Sequence, residues 1–600
     1  MLVYGSPLRE VSPRELVSTL RTSLRQFAAM GPGLARHVAL TSLFIEAGTL
    51  AQGVLDRDFA DRQCDEPGPL GAACIALPFA LAMALQRSWE SGFTRVPPVP
   101  TAALDALDRL RLPEHVTASA PEGYAYHALY PEQYLEAAKA LRPRCTRLVV
   151  GVRGIGASLA CAVAAAARAA APITVRPTGH PFQRACRLGP VLEHELLARA
   201  TEVREVAIVD EGPGLSGSSL GAVADLLEDR GVPPERLCFF PSHPGGLGPM
   251  ASERHRARWS DARRHVADFD ALFIHPGDAR APLARWCEDL TGPAVGRLED
   301  LGAGSWRRVV FPGLGSWPAV HVQQERRKYR LTTPRGRFLL KFAGLGHFGT
   351  HRLHRARQLA DAGLVPPVEG LRHGFLVQQW LEDARPLSLV PERERPRWTR
   401  HVGDYLGFRA RHFPVDTPDR GASVQVLLEM ARYNASQALS GAEAELPQRL
   451  DAWTRHLEAL ARKVRRVETD NKLHAWEWLV LDDGRLLKAD AVDHHDGHDL
   501  IGCQDVAWDV VGAAVELGLG PVEEARLAAR VAQVSGRPVS AALRCFYRPC
   551  YLAFQAGHQF LAATALDAAA PEEALRLREA AKRYTARLRD ALRTAPLVSG

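Results

Sequence analysis

The sequence has 600 residues, more than a single hydrophobic core usually serves, so we expect about three or four domains. Hydrophobic residues make up 46% of the chain and charged residues 24%, as in an ordinary globular protein. The net charge of +7 is small for this length and basic residues alternate with acidic ones, so we expect no nucleic-acid partner. The 10 cysteines lack CxxC spacing and the N-terminus lacks a signal-peptide pattern, which together predict a cytoplasmic protein.

Residues 1–112 are predicted to form a helical region. Leucines recur there at helical spacing at Leu16, Leu20 and Leu24. The segment 67–86 is uncharged and long enough to span a membrane, but Pro78 interrupts it and its flanks carry no anchor pattern. We therefore expect a buried core helix and no membrane partner. The sequence assigns no function to this region.

Residues 113–297 alternate strand and helix signals. Apolar runs indicate buried strands at 148–152, 173–177, 206–209 and 236–240, with 270–274 as a candidate fifth. Alternating elements of this kind predict an α/β fold with a mainly parallel sheet and helices on both faces. Such sheets bind ligands at the carboxyl ends of their strands.

The segment from Val203 to Gly231 carries the strongest functional signal. Its strand ends in Asp210 and Glu211, and a loop of small residues then leads into an amphipathic helix. Backbone N–H groups and hydroxyls at a helix N-terminus can hold a phosphate, and the two acids can hold ribose hydroxyls and magnesium. The candidate phosphate-binding residues are Gly214, Ser216, Gly217, Ser218 and Ser219. Any strand-to-helix turn favours glycine and serine, but the adjacent acid pair favours a sugar-phosphate site.

This segment resembles the loop of type I phosphoribosyltransferases that binds phosphoribosyl pyrophosphate (PRPP), although it is slightly longer and contains Pro213. The resemblance implies that PRPP binds with Mg²⁺ and that an acceptor attacks its C1 as pyrophosphate leaves. It also implies that the turn containing Arg153, Gly154 and Gly156 holds the pyrophosphate, which makes Arg153 a candidate catalytic residue beside Asp210 and Glu211. The pattern is most similar to phosphoribosyltransferase-like proteins of bacterial stress-response gene clusters.

Two neighbouring segments leave alternatives open. The basic loop that contains Arg176, His180 and Arg184 either closes over the reacting sugar or is simply solvated. Tyr124, Tyr126 and Tyr130 either stack on a base or pack against the sheet edge, and we expect packing.

Residues 298–600 begin with antiparallel strand signals around a turn at 334–336 and continue as mostly helix. The strand that carries Lys341, the segment 374–381 and the segment 472–499 resemble aminoglycoside and choline kinases. That resemblance implies an α+β, protein-kinase-like domain in which Lys341 binds the phosphates of a nucleotide such as ATP.

The resemblance is imperfect at the catalytic loop. Lys472 occupies the position of the family's catalytic aspartate, and Glu477 occupies the position of its metal-binding asparagine. Asp490 matches the metal-binding aspartate and Asp493 lies close by, so Glu477, Asp490 and Asp493 are the candidate magnesium ligands. The pair Asp505 and Asp509 matches residues that support the loop. The His/Asp-rich segment 493–499 also suggests a transition-metal site, although its ligands are adjacent rather than at the usual spacing.

The sequence therefore predicts a fused enzyme that transfers phosphoribose to an unidentified small-molecule acceptor and carries a kinase-like domain. That second domain would act on the product or bind a nucleotide. The alternative is a non-catalytic sensor that binds PRPP or a nucleotide. The oligomeric state is left open.

Overall fold

The computed structural model describes residues 1–5, 8–142, 145–214, 216–277, 280–417, 420–497 and 499–594. Leu215 of the small-residue loop and His498 of the His/Asp-rich segment lie outside these ranges. The first segment contains β1 (Leu8–Val11), α1 (Pro13–Ala28), α2 (Leu34–Arg62), α3 (Pro69–Glu90) and α4 (Ala102–Asp108).

The middle segment contains β2 (Val116–Ser119), α5 (Glu122–Ala125), α6 (Pro131–Ala138), β3 (Arg147–Val152), α7 (Gly156–Ala166), β4 (Ile173–Val175), β5 (Thr178–His180), β6 (Gln183–Ala185), α8 (Pro190–Glu202), β7 (Glu205–Val209), α9 (Ser218–Asp229), β8 (Leu237–Phe240), α10 (Glu253–Asp261), β9 (Arg263–Arg264), α11 (Leu283–Trp286) and α12 (Glu288–Thr291).

The last segment contains β10 (Glu299–Asp300), α13 (Arg307–Val310), β11 (Lys328–Thr333), β12 (Gly336–Phe342), α14 (Gly346–Asp361), β13 (Val368–Arg372), β14 (Phe375–Gln379), β15 (Arg385–Pro386), α15 (Thr399–His412), α16 (Val424–Ala438), α17 (Leu457–Ala461), β16 (Arg466–Val467), β17 (Trp478–Val480), β18 (Leu486–Lys488), β19 (Gln504–Asp505), α18 (Ala507–Glu516), α19 (Pro521–Ser535), α20 (Ala541–Leu566) and α21 (Pro571–Thr594).

The middle segment forms a parallel five-stranded sheet in the order β4-β3-β7-β8-β9. Alternate residues of its strands enter different cores. Val149 and Ala207 pack with the N-terminal helices and α7, whereas Val150 and Ile208 pack with α8 and α9. Helices therefore cover both faces, as the alternating pattern predicts.

The fifth strand is not where the sequence placed it. Residues 270–274 form a π-helical turn, and the edge strand is the short β9, which pairs with β8. Phe269, Leu272 and Phe273 are all buried and recur at helical rather than alternating spacing, so one helical face fills the core. Asp268 Oδ1 accepts a hydrogen bond from the N–H of Ala271 at 2.9 Å and fixes the start of this turn.

The N-terminal helices pack directly on the middle segment. A Cβ added to Gly48 of α2 would lie 2.7 Å from the Cβ of Ser158 in α7. Helices α2 and α7 can therefore approach closely because residue 48 is glycine. By length and composition alone, α2 and α3 are each apolar enough to cross a membrane, and 67% and 44% of their most apolar windows are buried within the protein. Leu77, Leu81 and Leu85 of α3 are fully buried in the core shared with the middle segment.

The last segment has a sheet part and a helical part. Its antiparallel five-stranded sheet has the order β10-β11-β12-β14-β13, with the predicted turn joining β11 and β12. Helix α14 packs beside β13 and β14, and α15 to α21 form most of the remainder. This is the mixed α+β arrangement that the sequence predicts.

One buried cluster ties the three segments together. Glu132 of α6 lies 2.6 Å from His37 Nε2 of α2 and 3.2 Å from His373 Nε2, in the turn between β13 and β14. We call these three residues the His–Glu–His joint. None of the three side chains is exposed. The joint connects α2, α6 and the β13–β14 turn, and thereby the first, middle and last segments, at one point.

Candidate functional site

The first candidate site lies at the carboxyl edge of the parallel sheet. Strands β3 and β7 are neighbours with Gly151 opposite Val209, so the turn after β3 and the acids after β7 emerge side by side. A cleft of about 830 Å³ opens there. We call it the sheet-edge cleft. Residues on its sheet side are Gly154, Ile155, Asp210, Glu211, Gly212 and Gly214, and residues on its opposite wall include Asp300, Glu325, Arg326 and Arg327.

The acid pair in this cleft is electrostatically unusual. Burial raises the pKa of Asp210 to about 6. A hydrogen bond of 2.8 Å, which Asp210 Oδ1 accepts from the N–H of Glu211, lowers this pKa but does not offset the effect of burial. Burial, together with the negative charges of Glu122 and Asp210, raises the pKa of Glu211 to about 8. At neutral pH Glu211 therefore keeps its proton while Asp210 is largely ionised, and a bound cation would displace the proton of Glu211.

The small-residue loop forms the predicted helix start but uses its hydroxyls locally. Gly214 and Gly217 have φ of 59° and 61°, a conformation that favours glycine. Ser216 Oγ and Ser218 Oγ donate hydrogen bonds to the carbonyl of Pro181 at 3.2 and 2.7 Å. Pro181 lies at the tip of the β5–β6 hairpin, so the basic loop noted in the sequence sits against the candidate phosphate loop. Ser219 is half-buried in the first turn of α9.

Arg153 does not face the cleft, and the expectation that it grips pyrophosphate is corrected. Its side chain is 2% exposed and forms an ion pair with Asp65, which follows α2. It also donates hydrogen bonds of 3.2 Å to the carbonyls of Leu55 and Thr174. The sequence could not reveal this, because the carboxylate that neutralises the arginine comes from the N-terminal region.

The two glycines of the same turn have different placements. Gly154 has a φ of 140° and borders the cleft, with open space where a Cβ would be. A Cβ on Gly156 would lie 2.7 Å from the carbonyl oxygen of Val209 and 3.1 Å from Asp210 Oδ1. Gly156 therefore lets α7 approach the acid-bearing strand, which is a packing role.

The tyrosines near this cleft mostly pack. Tyr124 donates or accepts a hydrogen bond of 2.9 Å with Ser158 Oγ, and the Tyr130 hydroxyl donates to the carbonyl of His373 at 2.5 Å. Tyr126 is also buried, but it borders the cleft.

The second candidate site lies between the antiparallel sheet and the helical part of the last segment. Lys341 on β12 donates a hydrogen bond of 2.5 Å to Asp490 Oδ1 and lies 3.9 Å from Asp493. These residues border a cavity of about 440 Å³ that also meets Lys472, Glu477 and His494. We call it the Lys341 pocket. The sequence therefore named residues that the fold brings together from positions about 150 apart.

Two groups of potential metal ligands lie in or beside this pocket. Ligand atoms of Asp490, Asp493 and His494 lie within 4.8 Å of one another, and so do those of Asp470, Glu477 and His494. Glu477 Oε2 accepts a hydrogen bond of 2.6 Å from Lys488, which separates it from the Asp490 group. Although burial opposes protonation, the neighbouring aspartates raise the pKa of His494 to about 9.

Asp490 and Asp493 fit a divalent cation. Asp493 Oδ2 is buried and accepts no hydrogen bond from any described residue, although Arg326 Nη2 lies 2.9 Å away as an ion-pair partner. Carboxylate oxygens of this kind, beside a cavity that a phosphate can enter, are what Mg²⁺ takes. His494 and Asp470 were not among the predicted ligands, and the only signal for His494 was the His/Asp-rich run.

The loop that carries Lys472 is held from below by Asp509 of α18. Asp509 accepts hydrogen bonds from the backbone N–H groups of Asp470 and Asn471 at 2.8 and 3.0 Å. This is the supporting role that the sequence resemblance implies for Asp509. Burial, followed by the charge of Asp470, raises the pKa of Asp509 to about 6. Asp505 instead accepts from the N–H of Ala507 at 2.9 Å and helps to start the same helix.

Several comparisons bear on this arrangement. No protein-family model matches the sequence, and no curated protein is significantly similar to it. Choline kinase LicA from Streptococcus pneumoniae is similar in structure at 16% identity and a TM-score of 0.29, covering 43% of this chain and 89% of its own. A choline/ethanolamine kinase family protein from Mesorhizobium loti has 14% identity and a TM-score of 0.31, covering 50% and 94%.

Spectinomycin phosphotransferase APH(9)-Ia, solved with ADP and spectinomycin, has 12% identity and a TM-score of 0.33, covering 53% of this chain and 98% of its own. All three TM-scores lie below 0.5, so the activity of this chain rests on its own site residues.

Proposed function

We propose that the protein is a cytoplasmic enzyme of small-molecule metabolism with two ligand sites. The sheet-edge cleft binds PRPP with Mg²⁺ and transfers phosphoribose to a small acceptor, and the Lys341 pocket binds a magnesium nucleotide. The observation that carries the proposal is the pairing of Asp210 and Glu211 beside Gly154 at the carboxyl edge of the parallel sheet, in a cleft of about 830 Å³.

The pair of Asp210 and Glu211 suits a sugar substrate whose leaving group is an anion. A bound magnesium ion would neutralise the departing pyrophosphate. The carboxylates of Asp210 and Glu211 accept hydrogen bonds from ribose hydroxyls once Glu211 has released its proton. Gly154 leaves room for the ligand beside them, and the N-terminus of α9, which begins at Ser218, is the proposed binding site of the 5′-phosphate. Reaction at C1 then depends chiefly on positioning and on stabilisation of positive charge at the sugar.

The Lys341 pocket has the parts needed to hold a nucleotide. Lys341 offers an ammonium to phosphate oxygens, and Asp490 and Asp493 offer carboxylates to a divalent cation. In the absence of such ligands, the lysine and the aspartates neutralise one another. In this proposal, the further activity is the transfer of a phosphate from the nucleotide bound in this pocket to the product of the first site.

The alternative function is a sensor that binds PRPP or a nucleotide without turnover. One observation favours it for the Lys341 pocket. Lys472 takes the place of the expected catalytic base, and the nearby Asp470 is buried with Lys488 3.6 Å away and Tyr405 hydrogen-bonded to it. Neither residue is disposed to accept a proton from a substrate hydroxyl.

Calorimetric titration of PRPP with Mg²⁺ tests the first site. Wild type is expected to bind PRPP only when Mg²⁺ is present, and the double variant Asp210→Asn/Glu211→Gln is expected to lose binding. Asp300→Asn is the matched control, because Asp300 is an exposed carboxylate on the opposite wall of the same cleft. Absence of PRPP binding in wild type would refute the proposal. Magnesium-dependent release of pyrophosphate with a panel of acceptors then separates the enzyme from the sensor.

A further inference from the structure

The sheet-edge cleft and the Lys341 pocket share a wall. Four residues border both cavities: Tyr126, His127, Glu325 and Arg326. They come from the loop after α5 and from the segment that precedes β11, so the wall is built from the middle and last segments together. A side chain in this wall can contact a ligand in either cavity.

Arg326 is the cation of the shared wall. Its guanidinium stacks over the ring of Tyr126 at 4.5 Å, which fixes it between the cavities. Its Nη2 lies 2.9 Å from Asp493 Oδ2 in the Lys341 pocket, and 16% of the side chain remains exposed. Glu325, the acid beside it, is occupied by hydrogen bonds from the N–H of Gly304 at 2.6 Å and from Trp306 Nε1 at 2.8 Å.

Asp493 has more cations around it than one carboxylate requires. Arg326 lies 2.9 Å away, and Lys341 Nζ and Arg352 Nε each lie 3.9 Å away. These three cations hold the pKa of Asp493 well below its ordinary value, against the effect of burial. If Arg326 moves away, Lys341 and Arg352 still lie near Asp493. Arg326 is therefore the ion-pair partner of Asp493 that can move to another anion.

The two cavities make opposite demands on this arginine. A phosphate in the sheet-edge cleft attracts the guanidinium, which binds phosphate oxygens in a two-pronged geometry. A divalent cation at Asp490 and Asp493 repels it and competes for the same carboxylate. Each ligand therefore favours the same displacement of Arg326, from Asp493 toward the cleft.

We propose that Arg326 is an anion-binding residue shared by the two cavities, so that a phosphate-bearing ligand in the sheet-edge cleft and a magnesium nucleotide in the Lys341 pocket bind cooperatively. This inference rests on the proposed function, because it takes the ligand of the cleft to be a phosphate or pyrophosphate ester of a sugar. Each ligand must tighten the other by the same factor, about 5-fold or more for a coupling of ordinary size.

Arg327 provides a matched control. It neighbours Arg326 in sequence and borders the sheet-edge cleft but not the Lys341 pocket. Its Nη1 lies 3.1 Å from Asp270 Oδ1, and its guanidinium lies 4.3 Å from the centre of the Phe269 ring. Arg327→Gln therefore removes the same charge from the same region without touching Asp493.

The test is a calorimetric titration of ADP at fixed, saturating Mg²⁺, with and without saturating PRPP, on the full chain. In wild type and in Arg327→Gln, PRPP is expected to lower the Kd of ADP by about 5-fold or more. In Arg326→Gln the two Kd values for ADP are expected to be equal, and PRPP is expected to bind more weakly than to wild type. ADP binding by this variant also shows that its pocket is folded.

Three outcomes would overturn the inference. The first is a wild-type protein that binds PRPP and ADP independently, which leaves the proposed function standing. The second is coupling that persists in Arg326→Gln. The third is a wild type that binds no PRPP, which removes the proposed function as well. If Arg326→Gln does not fold, Arg326→Lys takes its place, because it keeps the charge, loses the two-pronged geometry and is expected to lose most of the coupling.

Discussion

The His–Glu–His joint provides the sharpest test of how the segments are held together. We consider Glu132→Gln, which keeps the size of the side chain and removes its charge. Glu132 Oε1 accepts from the Nε2–H groups of His37 and His373 at 2.6 and 3.2 Å, and Oε2 has no hydrogen-bond partner among the described residues. The variant therefore turns two charge-assisted hydrogen bonds into neutral ones and puts a buried amide group where Oε2 lies.

The expected cost follows from these contacts. A hydrogen bond to a charged group contributes about 1 kcal/mol more than a neutral one, so two bonds account for about 2 kcal/mol. An amide N–H group without a partner in a buried site adds a cost of about 1–2 kcal/mol. The free energy of opening the joint should therefore be about 3 kcal/mol lower than in wild type. Amide exchange that proceeds through this opening should then be about 150-fold faster.

Hydrogen exchange measured by mass spectrometry gives the readout. Faster exchange is expected in α6, in the part of α2 around His37 and in the β13–β14 turn, which are distant in sequence. Glu136→Gln is the control on the same helix, because it removes one carboxylate charge without touching His37 or His373. Glu136 Oε1 accepts from Trp89 Nε1, Lys139 and Arg280, so its loss is expected to leave the β13–β14 turn unchanged. Equal exchange in the two variants, or an effect confined to α6, would refute the reasoning.

Three further predictions follow from the described contacts. As the pH falls below 6.5, the unfolded chain protonates His37 while burial keeps its native pKa lower, so the contribution of His37 to the free energy of unfolding should fall, and Glu132, whose hydrogen bonds keep its pKa low in spite of burial, should add to this loss below 4.5. Urea titrations at pH 8, 6 and 4 check this as the difference between wild type and His37→Gln, because the raised pKa values of Glu211 and His494 act in the opposite direction in both proteins. Asp509→Asn should weaken the hydrogen bonds to the N–H groups of Asp470 and Asn471 and destabilise the chain by about 2 kcal/mol, which urea denaturation measures and which a variant with wild-type stability would contradict. Lys341→Gln should weaken magnesium–ADP binding by about 10-fold or more, which titration calorimetry with ADP at saturating Mg²⁺ measures and which an unchanged Kd would contradict.

Local sequence patterns predicted much of the architecture because they report local physics. The apolar runs that became β3, β4, β7 and β8 are buried on both sides, as strands of a covered parallel sheet must be. The acid pair of Asp210 and Glu211 follows β7 directly, so finding the strand also located the acids. The prediction of a strand at 270–274 was wrong because a short apolar segment fits a strand and a buried helical turn equally well.

The roles of several side chains depended on partners that are remote in sequence. The sequence predicted that Arg153 binds pyrophosphate, but in the structure Asp65, 88 positions earlier, provides its counter-charge. The His–Glu–His joint unites residues 95 and 241 positions apart, and no spacing rule covers such distances. The predicted ligand Glu477 is separated from Asp490 by the ammonium group of Lys488, which the sequence shows as one of seven lysines with no indication of its partners.

The sequence by itself determined the order of the elements, the edge of the sheet at which acids would collect, and the match between Lys341 and Asp490. The first two depend on chain periodicity and on the fixed direction of parallel strands, and the third was implied by the resemblance to aminoglycoside and choline kinases. Only the tertiary structure decided which charges neutralise one another and which cavities meet. The wall that contains Tyr126 and Arg326 exists because the loop after α5 and the segment before β11 meet in space. Burial makes the choice of ionic partners depend on distances that chain order does not encode.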